Sequence, residues 1–393
     1  MKILLVRLRL IGDVVFTTPL VRALRRTYPD THLTYVVEPM AAPIVRGNPH
    51  LDSVIVIPKR SGLARWRDDL SWARRLRDET FDIAIDLHGG PRSAWLTWTS
   101  GAAMRIGYRI AGRSWMYTHV VERSDDLLPR HSVVKQWDLL APLGIAGCEP
   151  ARDATEMHGD PDTEARAARV LHEAGAGPLD PLILMHVSAG NPFRRWPPEA
   201  FATVAAELAR RDPARRVIVA SGPSDEEAAR AIVNQARERL GAAGAAVSHV
   251  RIDLRELHAL AARAAVYIGG DSGPMHIAAT TETPIVALLG PTLAERSMPW
   301  RDPRWFAEAI DAGPLPCRPC RQRRCEPGDF RCLTGIAPDR VVAAAERALA
   351  SETRPRRSDT GIDDSASAEA AADAPKRGTR EDGQADRQGA RYA

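Results

Sequence analysis

The apolar residues of this chain fall into two kinds of stretch. Short dense blocks at residues 2–8, 32–37, 54–57, 81–87, 104–108 and 117–121 read as strands, and the pattern resumes at 181–187, 216–220, 264–268 and 284–289. Between them lie stretches with apolar positions three or four apart. In the first, over 14–27, Val14, Val15, Leu20, Val21 and Leu24 share helical spacing, and further helices are predicted over 131–143, 163–174 and 199–211. Strands that alternate with helices in both halves predict an α/β chain of two doubly wound, mostly parallel domains facing each other. The Pro-, Gly- and Asp-rich stretch 146–181 breaks the rhythm. It separates a first domain, 1–160, from a second, 175–350. After Leu349 large apolar residues almost vanish, so 351–393 reads as a disordered tail.

The stretch around which the rest is organised is Gly269-Gly270-Asp271-Ser272-Gly273-Pro274-Met275-His276. It follows a strand block and leads into a helix through Ile277-Ala278-Ala279. Such a turn gathers backbone N–H groups and the positive end of a helix dipole, which attract a phosphate. Pro274 suits a first helical turn, where no backbone donor is missed. An ordinary capped strand–helix joint would have the same local appearance. The opening unit, with Ile11-Gly12-Asp13 at its turn, lacks the GxGxxG pattern of dinucleotide binders. Asp13 itself has two compatible readings, a helix N-cap or a carboxylate exposed at a strand end for proton transfer.

Composition narrows the picture. The 393 residues carry a formal charge of only +4, which gives no reason to expect nucleic acid as a partner. Arg7 and Arg9 interrupt the first apolar block too early for a signal peptide, and no block reaches membrane-spanning length, so the chain is expected in the cytoplasm. Between Lys59 and Arg77, Arg60 and five other arginines surround Trp66 and Trp72. That stretch reads either as a solvated helix face or as a surface for an anionic, membrane-embedded partner. His88 and Arg92, after the strand at 81–87, are either cleft residues or loop and cap groups. In the loop after 181–187, Ser188 is a candidate binding residue and Arg194 reads either as a phosphate-binding cation or as a surface arginine, while Glu226, after 216–220, reads either as an acceptor for ribose hydroxyls or as a helix N-terminal acid. Cys317, Cys320, Cys325 and Cys332 are close enough in sequence for one structural zinc or for free thiols, and their later spacings match no common zinc ribbon.

Four motifs in order, Ile11-Gly12-Asp13 with Thr18-Pro19-Leu20, Asp86-Leu87-His88-Gly89-Gly90-Pro91-Arg92-Ser93, Arg194-Arg195-Trp196-Pro197, and the 270–278 segment with Leu289-Gly290-Pro291-Thr292, span most of residues 1–345. In these the chain resembles glycosyltransferase family 9, the bacterial lipopolysaccharide heptosyltransferases. The cysteine-rich segment resembles the heptosyltransferase II branch. The resemblance implies a GT-B architecture and an ADP-heptose donor on the second domain. It implies a lipid A–core acceptor on the first domain, met at the periphery of the inner membrane. It implies Asp13 as catalytic base and Asp271, Ser272, Gly273 and His276 as donor-binding residues. Arg194 falls where the family has a phosphate-binding lysine, and its planar fork grips phosphate differently. No Asp-x-Asp pair lies near the donor motif, and no cofactor is required for the implied reaction beyond the possible structural zinc. The rival expectations are a family member with another nucleotide sugar and a nicotinamide-dependent oxidoreductase.

Overall fold

In the computed structural model, which describes residues 1–60, 62–124, 128–187 and 191–351, the apolar blocks form two sheets. Ser188 and all of the expected tail beyond Ser351 lie outside the described residues. The first sheet contains β1 (Lys2–Val6), β2 (His32–Val37), β3 (Ser53–Val56), β4 (Ile83–Asp86), β5 (Met104–Tyr108) and β6 (His119–Val121). Its order is β3-β2-β1-β4-β5-β6, with every pairing parallel. The second contains β7 (Leu182–His186), β8 (Arg216–Ser221), β9 (Val247–Arg251), β10 (Val266–Gly270), β11 (Ile285–Leu288) and β12 (Ala307–Ile310). Its order, β12-β11-β10-β7-β8-β9, is again all parallel.

The two sheets repeat one topology. Each starts in the middle, winds to one edge, returns to the middle and winds to the other edge. At the reversal, neighbouring crossovers leave the sheet in opposite directions and open a crevice at the strands' carboxyl ends. The crevices lie beyond β1 and β4 in the first half and beyond β7 and β10 in the second.

Burial explains why the strand blocks are so apolar: Ile3, Leu4, Leu5 and Val6 in β1 and Val266, Tyr267 and Ile268 in β10 are all 0% exposed, as central strands covered on both faces must be. One continuous cluster of buried side chains joins Ile3, Leu5 and Val37 of the first half to Leu184, Tyr267 and Ile285 of the second. The described residues belong to a single compact unit. The stretch 146–181 lies between the last strand of the first sheet and the first strand of the second. That segment is tied across by Thr155 Oγ1, which donates to the Trp300 carbonyl at 2.7 Å, and by Trp300 Nε1, which donates to the Asp153 carbonyl at 2.8 Å.

The helix expected over 14–27 is two helices, Ile11–Val15 and Thr18–Thr27. Pro19 has no N–H to continue the first helix. Thr17 Oγ1 and Thr18 Oγ1 bond back to the carbonyls of Val14 and Val15 at 2.7 and 2.8 Å, closing the first segment. Among the described residues, no helix is long and apolar enough to cross a membrane.

Candidate active site

The turn after β1 carries Asp13. The residue at the N-cap of the short helix is Leu10, in the left-handed region at φ 71° and without a side-chain cap, so the N-cap reading of Asp13 does not hold. Asp13 lies in the first turn of the helix and its side chain reaches back to Arg7 Nη2. Arg7, only 8% exposed, also donates through Nη1 to the Leu87 carbonyl at 2.5 Å, so one guanidinium ties the ends of β1 and β4 together. The ion pair fixes where the Asp13 carboxylate points while leaving it open to the crevice, with its side chain 29% exposed. Gln136 Nε2 adds a contact to the Asp13 carbonyl at 3.5 Å.

The second crevice carries the glycine-rich turn. Asp271, 1% exposed, accepts from Ser297 Oγ at 2.5 Å through Oδ1, and His276 Nε2 lies 3.6 Å from the same oxygen. Arg194 Nη1 is 3.1 Å from Oδ2, an ion pair without hydrogen-bond alignment, since that oxygen has no hydrogen-bond partner. Burial alone would raise the Asp271 carboxyl, but His276, Arg194 and Ser297 hold it well below the usual carboxylate range. It is therefore an anion that orients its neighbours. Ser272 Oγ and His276 Nδ1 are likewise buried without a partner. Buried polar atoms are nearly always satisfied, so these two orphans at one turn suit a ligand that arrives with polar atoms of its own.

The two turns face each other at contact distance. Phe16 of the first half packs against His276 of the second with ring centroids 4.3 Å apart. A methyl on Gly12 would lie 2.8 Å from His276 Cδ2, and one on Gly273 would lie 2.6 Å from Ile11 Cγ2. These glycines let the helix of Asp13 approach the helix that begins at Gly273. Beside this contact lies one cavity of about 1160 Å³, lined from the first half by Arg7, Asp13 and His88 and from the second by Arg194, Asp271 and Ser272, among others. Burial, with Arg7 and Arg9 nearby, brings the His88 imidazole down to about 4, so it is neutral in ordinary buffers.

Other sequence candidates lie elsewhere. Arg92 does not line the cavity. Its guanidinium donates to Asp69 at 2.8 Å, Glu38 at 3.1 Å and the Pro58 carbonyl at 3.1 Å, inside the first half. Arg60 pairs with Asp68 at 2.5 Å on the surface. Glu226 sits at the first turn of its helix and pairs with Arg230 at 2.8 Å and Arg251 at 3.5 Å. Gly222, Pro223, Ser224 and Asp225, just before it, reach the cavity instead. Cys317, Cys320, Cys325 and Cys332 are free thiols lining a separate small pocket. Among the described residues no group of three or more His, Cys, Asp or Glu side chains is arranged to hold a metal ion. Burial, and then the three neighbouring thiols, raise Cys332.

Reading the sequence alone misses Arg7, Gln136, Asn191 and Ser297. Arg7 offered a signal: a charged residue at the end of an otherwise buried strand, six positions before Asp13. The rest are ordinary polar residues whose placement depends on the tertiary fold.

The model of one family, glycosyltransferase family 9 (heptosyltransferase), matches residues 70–329. The chain is 26% identical over 353 residues to lipopolysaccharide heptosyltransferase 3 of Escherichia coli, covering 88% of this chain and 98% of that relative. Its fold is similar to a family 9 glycosyl transferase from Veillonella parvula, at TM-score 0.76 and 25% identity over 88% of this chain and 97% of the other. It is also similar to the Escherichia coli ADP-heptose lipopolysaccharide heptosyltransferase II, at TM-score 0.70 and 20% identity over 89% and 98% of the two chains. With two six-stranded parallel sheets of one topology and a family model that matches residues 70–329, this chain belongs to glycosyltransferase family 9.

Proposed function

We propose that the chain transfers a heptose from ADP-heptose to a hydroxyl of the lipopolysaccharide inner core, with inversion at the anomeric carbon. The observation that carries this reading is the apposition of Asp13 to the Asp271-Ser272-Gly273 turn across a single cavity. The ADP-heptose transferase of similar fold supports the choice of donor, and the heptosyltransferase relative supports the acceptor.

The diphosphate sits on the second half. Ser272 Oγ, His276 Nδ1 and the backbone N–H groups of Ser272 and Gly273 supply donors, and Arg194 supplies charge. The sugar then points toward the first half. The acceptor oxygen attacks the anomeric carbon from the side opposite the phosphate, and its proton passes to the Asp13 carboxylate. The bond between sugar and phosphate breaks as the new glycosidic bond forms. The electron pair leaves with ADP, whose growing negative charge meets donors already in position. A single displacement inverts the configuration. Arg7 holds Asp13 in line throughout the displacement.

Exposed tryptophans on the first half support a partner at a water–lipid boundary: Trp66 is 71% exposed, and Trp98 and Trp115, 41% and 63% exposed, meet edge to face at 5.4 Å. The chain is therefore read as a peripheral protein of the inner membrane.

The test is incubation of the full chain with ADP-heptose and truncated lipopolysaccharide acceptors, followed by mass spectrometry. The expected result is one added heptose per acceptor with stoichiometric ADP. Transfer from a UDP- or GDP-sugar, and none from ADP-heptose, would replace the donor assignment.

A further inference from the structure

The cysteine-rich segment is not an isolated module, because it reaches into the candidate donor site. After β12 the chain turns back over the loop that follows β11. Arg318 Nη2 donates to the Thr292 carbonyl at 2.8 Å, and Cys320 N donates to the Pro291 carbonyl at 3.3 Å. The segment then presents Gln322. Its Oε1 accepts from Asn191 Nδ2 at 2.7 Å and from Arg194 Nε at 2.8 Å, while its Nε2 lies 3.4 Å from Thr292 Oγ1. Asn191, Arg194 and Thr292 all line the active-site cavity.

Two further features hold Gln322 in place. Its backbone lies in the left-handed region at φ 56°, which a residue with a side chain adopts only where its surroundings impose it. Its N–H donates to Cys320 Sγ at 3.1 Å, so the thiol fixes the turn from which the side chain extends.

We propose that Gln322 is a positioning residue for Arg194, and that the cysteine-rich segment serves the reaction by holding that glutamine against the donor site. Arg194 is gripped on two edges, donating from Nε to Gln322 Oε1 at 2.8 Å and from Nη1 to the Asp271 carbonyl at 3.3 Å. Two fixed edges set the plane of the guanidinium, and a plane is what bidentate recognition of phosphate requires. The chemistry of the glutamine suits the task. An amide oxygen accepts from the guanidinium without cancelling its charge, whereas a carboxylate in the same place would compete with the incoming diphosphate.

This inference rests on the reading of Arg194 as a donor-site cation, and the experiment separates the two. ADP binding is measured by calorimetry for the wild type, Arg194→Ala, Gln322→Ala, Gln322→Glu and the double variant Arg194→Ala/Gln322→Ala, with donor KM and acceptor KM measured alongside. Arg194→Ala weakens ADP binding. Gln322→Ala weakens it about tenfold, as loss of a hydrogen bond to a charged group does, and raises the donor KM but not the acceptor KM. In the Arg194→Ala background the same change adds less than about twofold, because there is no guanidinium left to position. The nearly isosteric Gln322→Glu, which a merely structural role would tolerate, weakens ADP binding at least as much as the alanine variant.

Wild-type affinity in Gln322→Ala or Gln322→Glu overturns the proposal. So does an equal effect of Gln322→Ala with and without Arg194. Unchanged ADP binding in Arg194→Ala would overturn the donor-site reading itself, and this inference with it.

Discussion

Gly12→Ala probes the apposition of the two turns without removing a functional group. Gly12 belongs to the helix Ile11–Val15 and is not in the left-handed region, so alanine meets no backbone penalty. Helix propensity alone favours alanine by about 1 kcal/mol. Against this, the new methyl would lie 2.8 Å from His276 Cδ2 and 3.7 Å from the Gly273 Cα. Carbon atoms pack at about 3.5–4.0 Å, so the first contact must open by roughly 1 Å. His276 is 4% exposed and wedged between the Phe16 ring and Asp271, so it has little room to yield. Overpacking of this kind costs about 1–3 kcal/mol, which outweighs the gain in propensity and lowers Tm by a few degrees. The larger effect is on the reaction. The displacement falls between Asp13 and the phosphate turn, and a ~1 Å misplacement of reacting groups costs about 100-fold in rate. Steady-state transfer should therefore show kcat reduced about 100-fold, with ADP affinity by calorimetry changed no more than about threefold. A variant with wild-type kcat would refute the claim that the Gly12–Gly273 contact sets the catalytic geometry.

Three other expectations follow from the same structure. Arg7→Lys keeps the charge but cannot serve both Asp13 and the Leu87 carbonyl, so kcat should fall about tenfold with ADP binding intact; equal losses in both would mean that Arg7 acts on the donor. Burial brings the His131 imidazole down to about 4, despite the hydrogen bond of its Nε2 to the Met298 carbonyl, whereas the unfolded chain takes up that proton near 6.5. The unfolded state therefore binds more protons within this window, stability falls as pH drops from about 6.5 to 4, and His131→Asn should flatten the dependence of Tm on pH. An unchanged slope would assign the acid sensitivity to other groups, such as His88 and His258, which burial also brings down to about 4. In thermal shift, ADP should raise Tm more than UDP, GDP or NAD, and stabilisation by NAD alone would favour the oxidoreductase reading.

The central strands were legible because burial on both faces makes them dense in apolar residues. β2 and β5 match the expected blocks residue for residue, and β1, β7 and β10 match to within two residues at either end. The edge strands β9 and β12 were not. Val247–Arg251 carries a serine, a histidine and an arginine, and Ala307–Ile310 includes a glutamate that is only partly covered. Sheet neighbours define these strands more than their own residues do. The same division runs through the site. Asp13 and the Gly270–His276 turn could be read locally, since strand–turn–helix chemistry is local. Their supports could not be read that way. Gln322 lies 128 positions from Arg194, Ser297 lies 26 from Asp271, and the fold alone brings them together. Arg92 shows the same dependence on the fold. Its place after a strand suggested a cleft residue or a loop and cap group, and in the structure its guanidinium pairs with Glu38 and Asp69.

The role of Asp13 is tested most directly by Asp13→Asn, assayed for transfer from ADP-heptose and, separately, for ADP binding. Loss of a positioned base should lower the transfer rate by about 100- to 10,000-fold. The affinity for ADP, held by the other half, should stay within about twofold of wild type. A variant that transferred heptose at close to the wild-type rate, or that lost ADP binding in proportion to its activity, would contradict the account.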